Sequence, residues 1–126
     1  MAQERKGIEQ VLAEIIRSSV WKSVPVDAAP SLTVVRWSVV ECSNGYRYVR
    51  GYSLELREGR ASTSIVEFDA KRGRCRTRSG RIYVLQGPPG SDRDAAWVWD
   101  VYARANALIS VMDVSQEVFA SMKEAT

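Results

Sequence analysis

With 126 residues, 45% of them hydrophobic and 26% charged, the chain has room for one domain with its own core and no more. The formal charge of +3 is only mildly basic, which permits a nucleic-acid partner without requiring one. There is no histidine, which excludes histidine-based triads, histidine general bases and the usual zinc and iron ligand sets.

Cys42 and Cys75 lie far apart with no CxxC, so they read as small buried hydrophobes rather than as a disulfide framework. No apolar run approaches the ~20 residues that span a bilayer. Met1 to Lys6 opens without the apolar segment of a signal peptide. The expectation is a cytoplasmic protein with no membrane partner. Carboxylates, Lys, Tyr, Ser and two thiols remain for chemistry, and the expectation is that the protein is not an enzyme and takes no cofactor or metal.

In chain order, residues 3–20 read as an amphipathic helix, because Ile8, Val11, Leu12, Ile15 and Ile16 form one apolar stripe. Trp21 to Pro30 reads as a linker, since Pro25 and Pro30 prevent regular structure. From Ser31 the composition turns β-branched and aromatic. Gly45, Gly59, Gly73 and Gly87 each follow the last by fourteen residues. Asn44-Gly45 is the strongest hairpin signal, and Glu58-Gly59 and Arg72-Gly73 read as the next turns. The punctuation predicts an antiparallel meander with strands near 32–42, 46–56, 61–70 and 74–86. Ser79-Gly80 is a bulge in the last strand or a turn that gives a fifth. Gly51 is a further bulge candidate.

Alternation puts Val35, Trp37 and Val39 on one face of the first strand, and Tyr48, Tyr52, Leu54 and Leu56 on one face of the second. A two-residue Asn44-Gly45 turn pairs Trp37 with Tyr52 and Val35 with Leu54. Val66 and Phe68 should face inward from the third strand, which requires a three-residue loop or bulge near Glu58-Gly59. After Gly87-Pro88-Pro89-Gly90, Ser91 or Asp92 caps a helix running to about Asn106, with Asp94 in its first turn. Ala107 to Met112 reads as a short strand, and Asp113 or Ser115 caps a final helix over 116–123. The predicted fold is a single α+β domain over 1–126, a meander of four or five strands with an N-terminal and two C-terminal helices packed on one face.

Two surfaces invite a function. On the second helix Arg93, Trp97, Asp100 and Arg104 share the polar stripe, opposite Ala95, Val98, Val101, Tyr102 and Ala105. A tryptophan ringed by arginine and aspartate has the composition of a protein-interface anchor, unless another segment covers it. The second surface is the basic run 71–81. If Arg72-Gly73 is a two-residue turn, Asp69 opposes Arg76 and Glu67 opposes Arg78, at about 0.2–1 kcal/mol per pair. That pairing leaves Lys71, Arg72, Arg74 and Arg81 as a small nucleic-acid-binding edge.

Three other features carry less. Glu67 and Asp69 have the spacing of an acid–base or metal pair, but no third ligand suggests itself and arginines compete for them. The loop Gly87 to Asp92 has the strand–loop–helix layout of a phosphate site. Its two prolines remove donors and Asp92 and Asp94 repel anions, so it reads as a rigid turn into the helix. Ser62-Thr63-Ser64 and Cys42 have no base nearby in sequence and read as ordinary strand and turn residues.

The stretch Thr77-Arg78-Ser79-Gly80-Arg81-Ile82-Tyr83-Val84-Leu85-Gln86-Gly87-Pro88-Pro89-Gly90, with Trp97-Val98-Trp99 after it, resembles an uncharacterised family of small bacterial and prophage-type proteins. The resemblance covers about a third of the chain and carries no functional residue. It implies a phage-type accessory protein that binds and blocks a host complex. The expectation is therefore a protein partner bound through Arg93, Trp97, Asp100 and Arg104. The alternative is nucleic acid at the basic edge, with an enzyme using carboxylates or a thiol ranked last; self-association is left open.

Overall fold

The computed structural model describes residues 28–126. The helix expected over 3–20 and most of the linker that follows it lie outside the described residues. Seven strands form one mixed sheet, larger than the expected meander. They are β1 (Ser31–Cys42), β2 (Arg47–Ser53), β3 (Glu58–Ala61), β4 (Ile65–Asp69), β5 (Arg74–Thr77), β6 (Ile82–Leu85) and β7 (Ser110–Asp113). Helix α1 (Arg93–Ala105) precedes β7, and α2 (Ser115–Ala125) follows it. The spatial order is β3-β2-β1-β6-β5-β4. All neighbours run antiparallel except β1 and β6, which are parallel. β7 pairs antiparallel with the C-terminal half of β1.

β1 is too long to follow one partner, and a bulge divides it. Arg36 sits in the left-handed region at φ 47°, and the β1–β2 register shifts between Val35 and Ser38. The extra residue reverses the alternation. Leu32 and Val34 before it face the same core as Trp37 and Val39 after it. Val35 therefore points to the other side, a correction to the uninterrupted alternation expected for Val35, Trp37 and Val39. Gly51 is not a bulge but lies in regular pairing with Arg60. A Cβ there would stand 3.0 Å from Val34 Cβ and 3.1 Å from Trp37 Cα, so glycine lets the bulged strand lie close.

The turns at Asn44-Gly45 and Arg72-Gly73 are longer than expected, and the one expected at Glu58-Gly59 lies elsewhere. Gly45 donates to the Cys42 carbonyl, Cys42 donates to the Tyr46 carbonyl, and Gly45 takes φ +86°. The loop is thus Ser43-Asn44-Gly45, a turn plus a left-handed glycine. Val35, not Trp37, lies opposite Tyr52. Tyr48 is buried and Tyr52 half-buried, while Leu54 is exposed in the following turn. Glu58-Gly59 is no turn, since both residues belong to β3 and the chain reverses over 54–57 with Arg57 at φ 55°. The expected third strand is two, β3 and β4. Within β4 a register shift between Ile65 and Glu67 turns Val66 to solvent, while Ile65 and Phe68 pack on the core. Ser79-Gly80 is a turn, with Gly80 at φ +92° and Thr77 bonded to Arg81 across it.

The helices lie on opposite faces of the sheet, not on one face. Val39 and Val40 are neighbours on β1, so they point to opposite sides. Val39 joins Leu32, Val34, Trp37, Val49, Cys75, Tyr83 and Leu85 beneath Val118 and Phe119 of α2. Val40 joins Cys42, Tyr48 and Ala61 beneath Val98, Trp99 and Ala103 of α1. Arg47 ties α2 down from outside, reaching Glu41 at 3.0 Å and Glu117 at 2.8 Å. The α2 cap also differs from expectation. Its N-cap is Val114, the Asp113 carboxylate accepts from Ser115 N–H at 2.8 Å, and Ser115 Oγ accepts from Val39 N–H at 2.9 Å.

Candidate functional site

α1 begins where the sequence places it. Asp92 is the N-cap and its Oδ2 accepts from Ala95 N–H at 3.0 Å. The same residue's Oδ1 takes Arg36 Nη2 at 2.9 Å, joining the β1 bulge to the helix start, and the Arg36 guanidinium lies 5.1 Å from the Tyr52 ring centroid. The loop before it does not form a phosphate cradle. Gln86 N–H donates to Val34, and Gly90 N–H to Trp37, so its backbone fills the gap along β1 between β6 and β7. The Trp37 indole N–H donates to the Gly87 carbonyl at 3.0 Å.

The helix is seated by its closest contact with the sheet. Gly59 N–H donates to Asp94 Oδ2 at 2.6 Å, and Ala95 lies directly on Gly59. Ala95, Val98, Trp99 and Ala103 are buried as a result. Trp99 stacks between Tyr48 and Tyr102, with centroids at 5.4 and 6.0 Å, and its indole N–H reaches Ser110 Oγ at 3.2 Å. This orientation turns Trp97 directly away from the sheet. Trp97 remains 48% exposed, and Arg93, Asp100 and Arg104 are exposed beside it on the same outward face. The four residues of the expected interface are brought together, and no described segment covers the indole.

The basic edge is rearranged. The β4–β5 loop has four residues, Ala70 to Gly73, so Asp69 opposes Arg74 and Glu67 opposes Arg76. The register is two residues from the expected one. A shift of two keeps each side chain on its face, because the strand period is two. Arg76 Nε meets Glu67 Oε1 at 3.5 Å, and Arg72 Nη1 meets Asp69 Oδ2 at 3.1 Å. Arg72 holds the Asp69 carboxyl below the usual carboxylate range. Among the described residues Lys71, Arg74 and Arg78 have no ion pair. Arg81 leaves the predicted set altogether. It is 1% exposed, and its Nε donates to the Ala29 carbonyl at 2.9 Å.

The sequence reading missed Arg60, fully buried on the α2 face near Arg81 and Tyr83. Burial lowers its pKa and the Arg81 charge adds to that, while Tyr83 and Glu58 work against it. A charged residue between Gly59 and Ala61 gives no signal of burial. Ile109, just before β7, and Val111 and Met112 on it were also missed, at 65%, 61% and 58% exposed; among the described residues β7 pairs only with β1. The signal was there: Ala107 to Met112 has no charge, the gatekeeper that usually blunts an edge strand.

The remaining candidates are placed without forming a reactive site. Burial pushes the Cys75 thiol up to about 12. Burial also raises Cys42, which a Ser110 hydrogen bond partly offsets. Ser62 Oγ accepts from Val49 N–H and donates to the Thr63 carbonyl, a structural role. No group of three or more Cys, Asp or Glu side chains that could hold a metal occurs among the described residues. At about pH 8, Cys75 in the folded protein should resist iodoacetamide and react only on unfolding, because the thiolate is the nucleophile. Mass spectrometry of native and unfolded samples checks this, and rapid native labelling at Cys75 would contradict it. No described helix is long and apolar enough to cross a membrane. No family model, curated protein or solved structure matches the chain.

Proposed function

We propose that the protein is a non-enzymatic, cytoplasmic binding protein that engages a protein partner through the outward face of α1. In keeping with its prophage-type resemblance, it acts by occupying a host complex. One observation carries this reading: Trp97 is half-exposed at the centre of a face formed by Arg93, Asp100 and Arg104. Tryptophan and arginine dominate interface hot spots because they bring large desolvated area and directed hydrogen bonds. The β7 edge, uncharged from Ser110 to Met112, offers the same kind of partner, a second copy of the chain included, a strand with which to pair.

Trp97→Ala should weaken the partner complex by about 2 kcal/mol or more, roughly thirtyfold in Kd. The half-exposed ring contributes little to the fold, so stability should fall by about 1 kcal/mol at most. Affinity capture from host lysate with wild type and Trp97→Ala, each treated with nuclease, checks the first expectation, and thermal melts check the second. The same proteins recovered with both baits would defeat the reading, as would a large drop in Tm.

A further inference from the structure

A second surface lies on the same face of the sheet as α1 but at the opposite end of the strand order. α1 packs on β3 and β2. Beyond it the strand registers set out two rows of side chains. Thr33, Val84, Arg74 and Asp69 form one, and Ser31, Ile82, Arg76 and Glu67 the other. Ile82 and Val84 are half-buried, and Arg74, Arg76 and Arg78 are exposed. Along β5 alternate residues stand about 7 Å apart, so Arg74 and Arg76 form a column of cations that Arg78 extends past the strand end.

The charge of the protein is concentrated here. Over 65–78, Lys71, Arg72, Arg74, Arg76 and Arg78 face only Glu67 and Asp69. The surplus is +3, equal to the formal charge of the whole chain, so the rest of the sequence is neutral in sum. The observed register shifts the uncompensated end to the β5–β6 turn, since Arg78 lies beside Ser64 and has no carboxylate opposite it.

We propose that this sheet face binds single-stranded nucleic acid through its phosphate backbone. An extended polymer with one anion per unit matches a regular column of cations. The guanidinium planes of Arg74, Arg76 and Arg78 give unstacked bases surfaces on which to stack, beside an apolar floor of half-buried Ile82 and Val84. A duplex keeps its bases stacked inside and makes no use of that floor. Contacts of this kind position the strand and read no sequence. The inference does not depend on the α1 interface, which lies over β2 and β3 rather than over β5 and β6.

The test is fluorescence anisotropy with a labelled oligo-dT of about 20 nucleotides, a duplex of the same length and a poly-glutamate peptide. Three phosphate contacts give a log–log salt slope near −2, so affinity should fall about fifteenfold from about 50 to about 200 mM salt. Arg74→Glu with Arg78→Glu should abolish binding. Arg74→Gln with Arg78→Gln should flatten the slope by about 1.4, and carries the test if the charge-reversed protein does not fold. Trp97→Ala should bind the oligonucleotide as wild type does. A salt-insensitive affinity, an unchanged slope in the glutamine variant, or equal or tighter binding of duplex or poly-glutamate overturns the proposal.

Discussion

Gly59→Ala should unfold the protein more readily than a methyl added to any other described glycine. A Cβ at Gly59 would stand 2.5 Å from the Asp94 carbonyl carbon and closer still to Ala95 N. Both are backbone atoms at the start of a helix, so no side-chain rotation can relieve the clash. The first turn of α1 must lift, which stretches the bond from Gly59 N–H to Asp94 Oδ2 and loosens Trp99 over Tyr48. Overpacking of this severity costs about 3 kcal/mol. In a domain of this size that lowers Tm by roughly 10 °C. Gly80→Ala is the internal control. A Cβ there meets nothing within 4 Å, and only its φ of +92° resists substitution. The cost should be about 1 kcal/mol. Equal melting of the two variants would contradict the seating of α1 on β3.

Trp37→Ala should be comparably severe for the opposite reason. Trp37 is fully buried under α2, edge-on to Phe119 at 6.3 Å, and its indole N–H holds the Gly87 carbonyl. Truncation leaves a cavity that the β1 bulge and the 87–90 loop cannot jointly fill, at about 3–5 kcal/mol. Two tryptophans sixty residues apart thus give contrasting predictions: Trp37→Ala destroys stability and Trp97→Ala destroys only binding. Denaturant titration of both variants checks the contrast. A Trp37→Ala loss below about 1 kcal/mol would show that this core can collapse around the missing ring.

What was legible in the sequence was local. The boundaries of α1 and the outward aim of Trp97 follow from helical period, and capping chemistry narrows the N-cap to Ser91 or Asp92, of which Asp92 serves. The face occupied by Glu67 and Asp69 survives a register error because the error is two residues. What was not legible was non-local or ambiguous in type. Glycine spacing marks Gly45 and Gly73 as turns, with φ of +86° and +63°, but Gly59 is glycine because a helix touches it. No pattern distinguishes those two reasons. The bulge at Arg36 has no glycine or proline to announce it, and it inverts the face of Val35. The parallel pairing of β1 with β6 joins residues about fifty apart, which no periodicity reveals. At the candidate site the four α1 residues were readable, whereas the burial of Arg81 depends on which face of β6 meets the core.

The strand order carries a kinetic meaning as well. β1-β2-β3 and β4-β5-β6 are each local meanders, paired with one another along the parallel seam of β1 and β6, with a smaller contact between β2 and β4. Each half can zip up from its own turns, but neither buries its faces until the seam closes. Closing contacts across so much chain exacts entropy before it returns burial. Assembly is therefore gated by the meeting of two half-sheets. Until they meet, the longest strand of the fold, Ser31–Cys42, presents one open edge to whatever else is in solution.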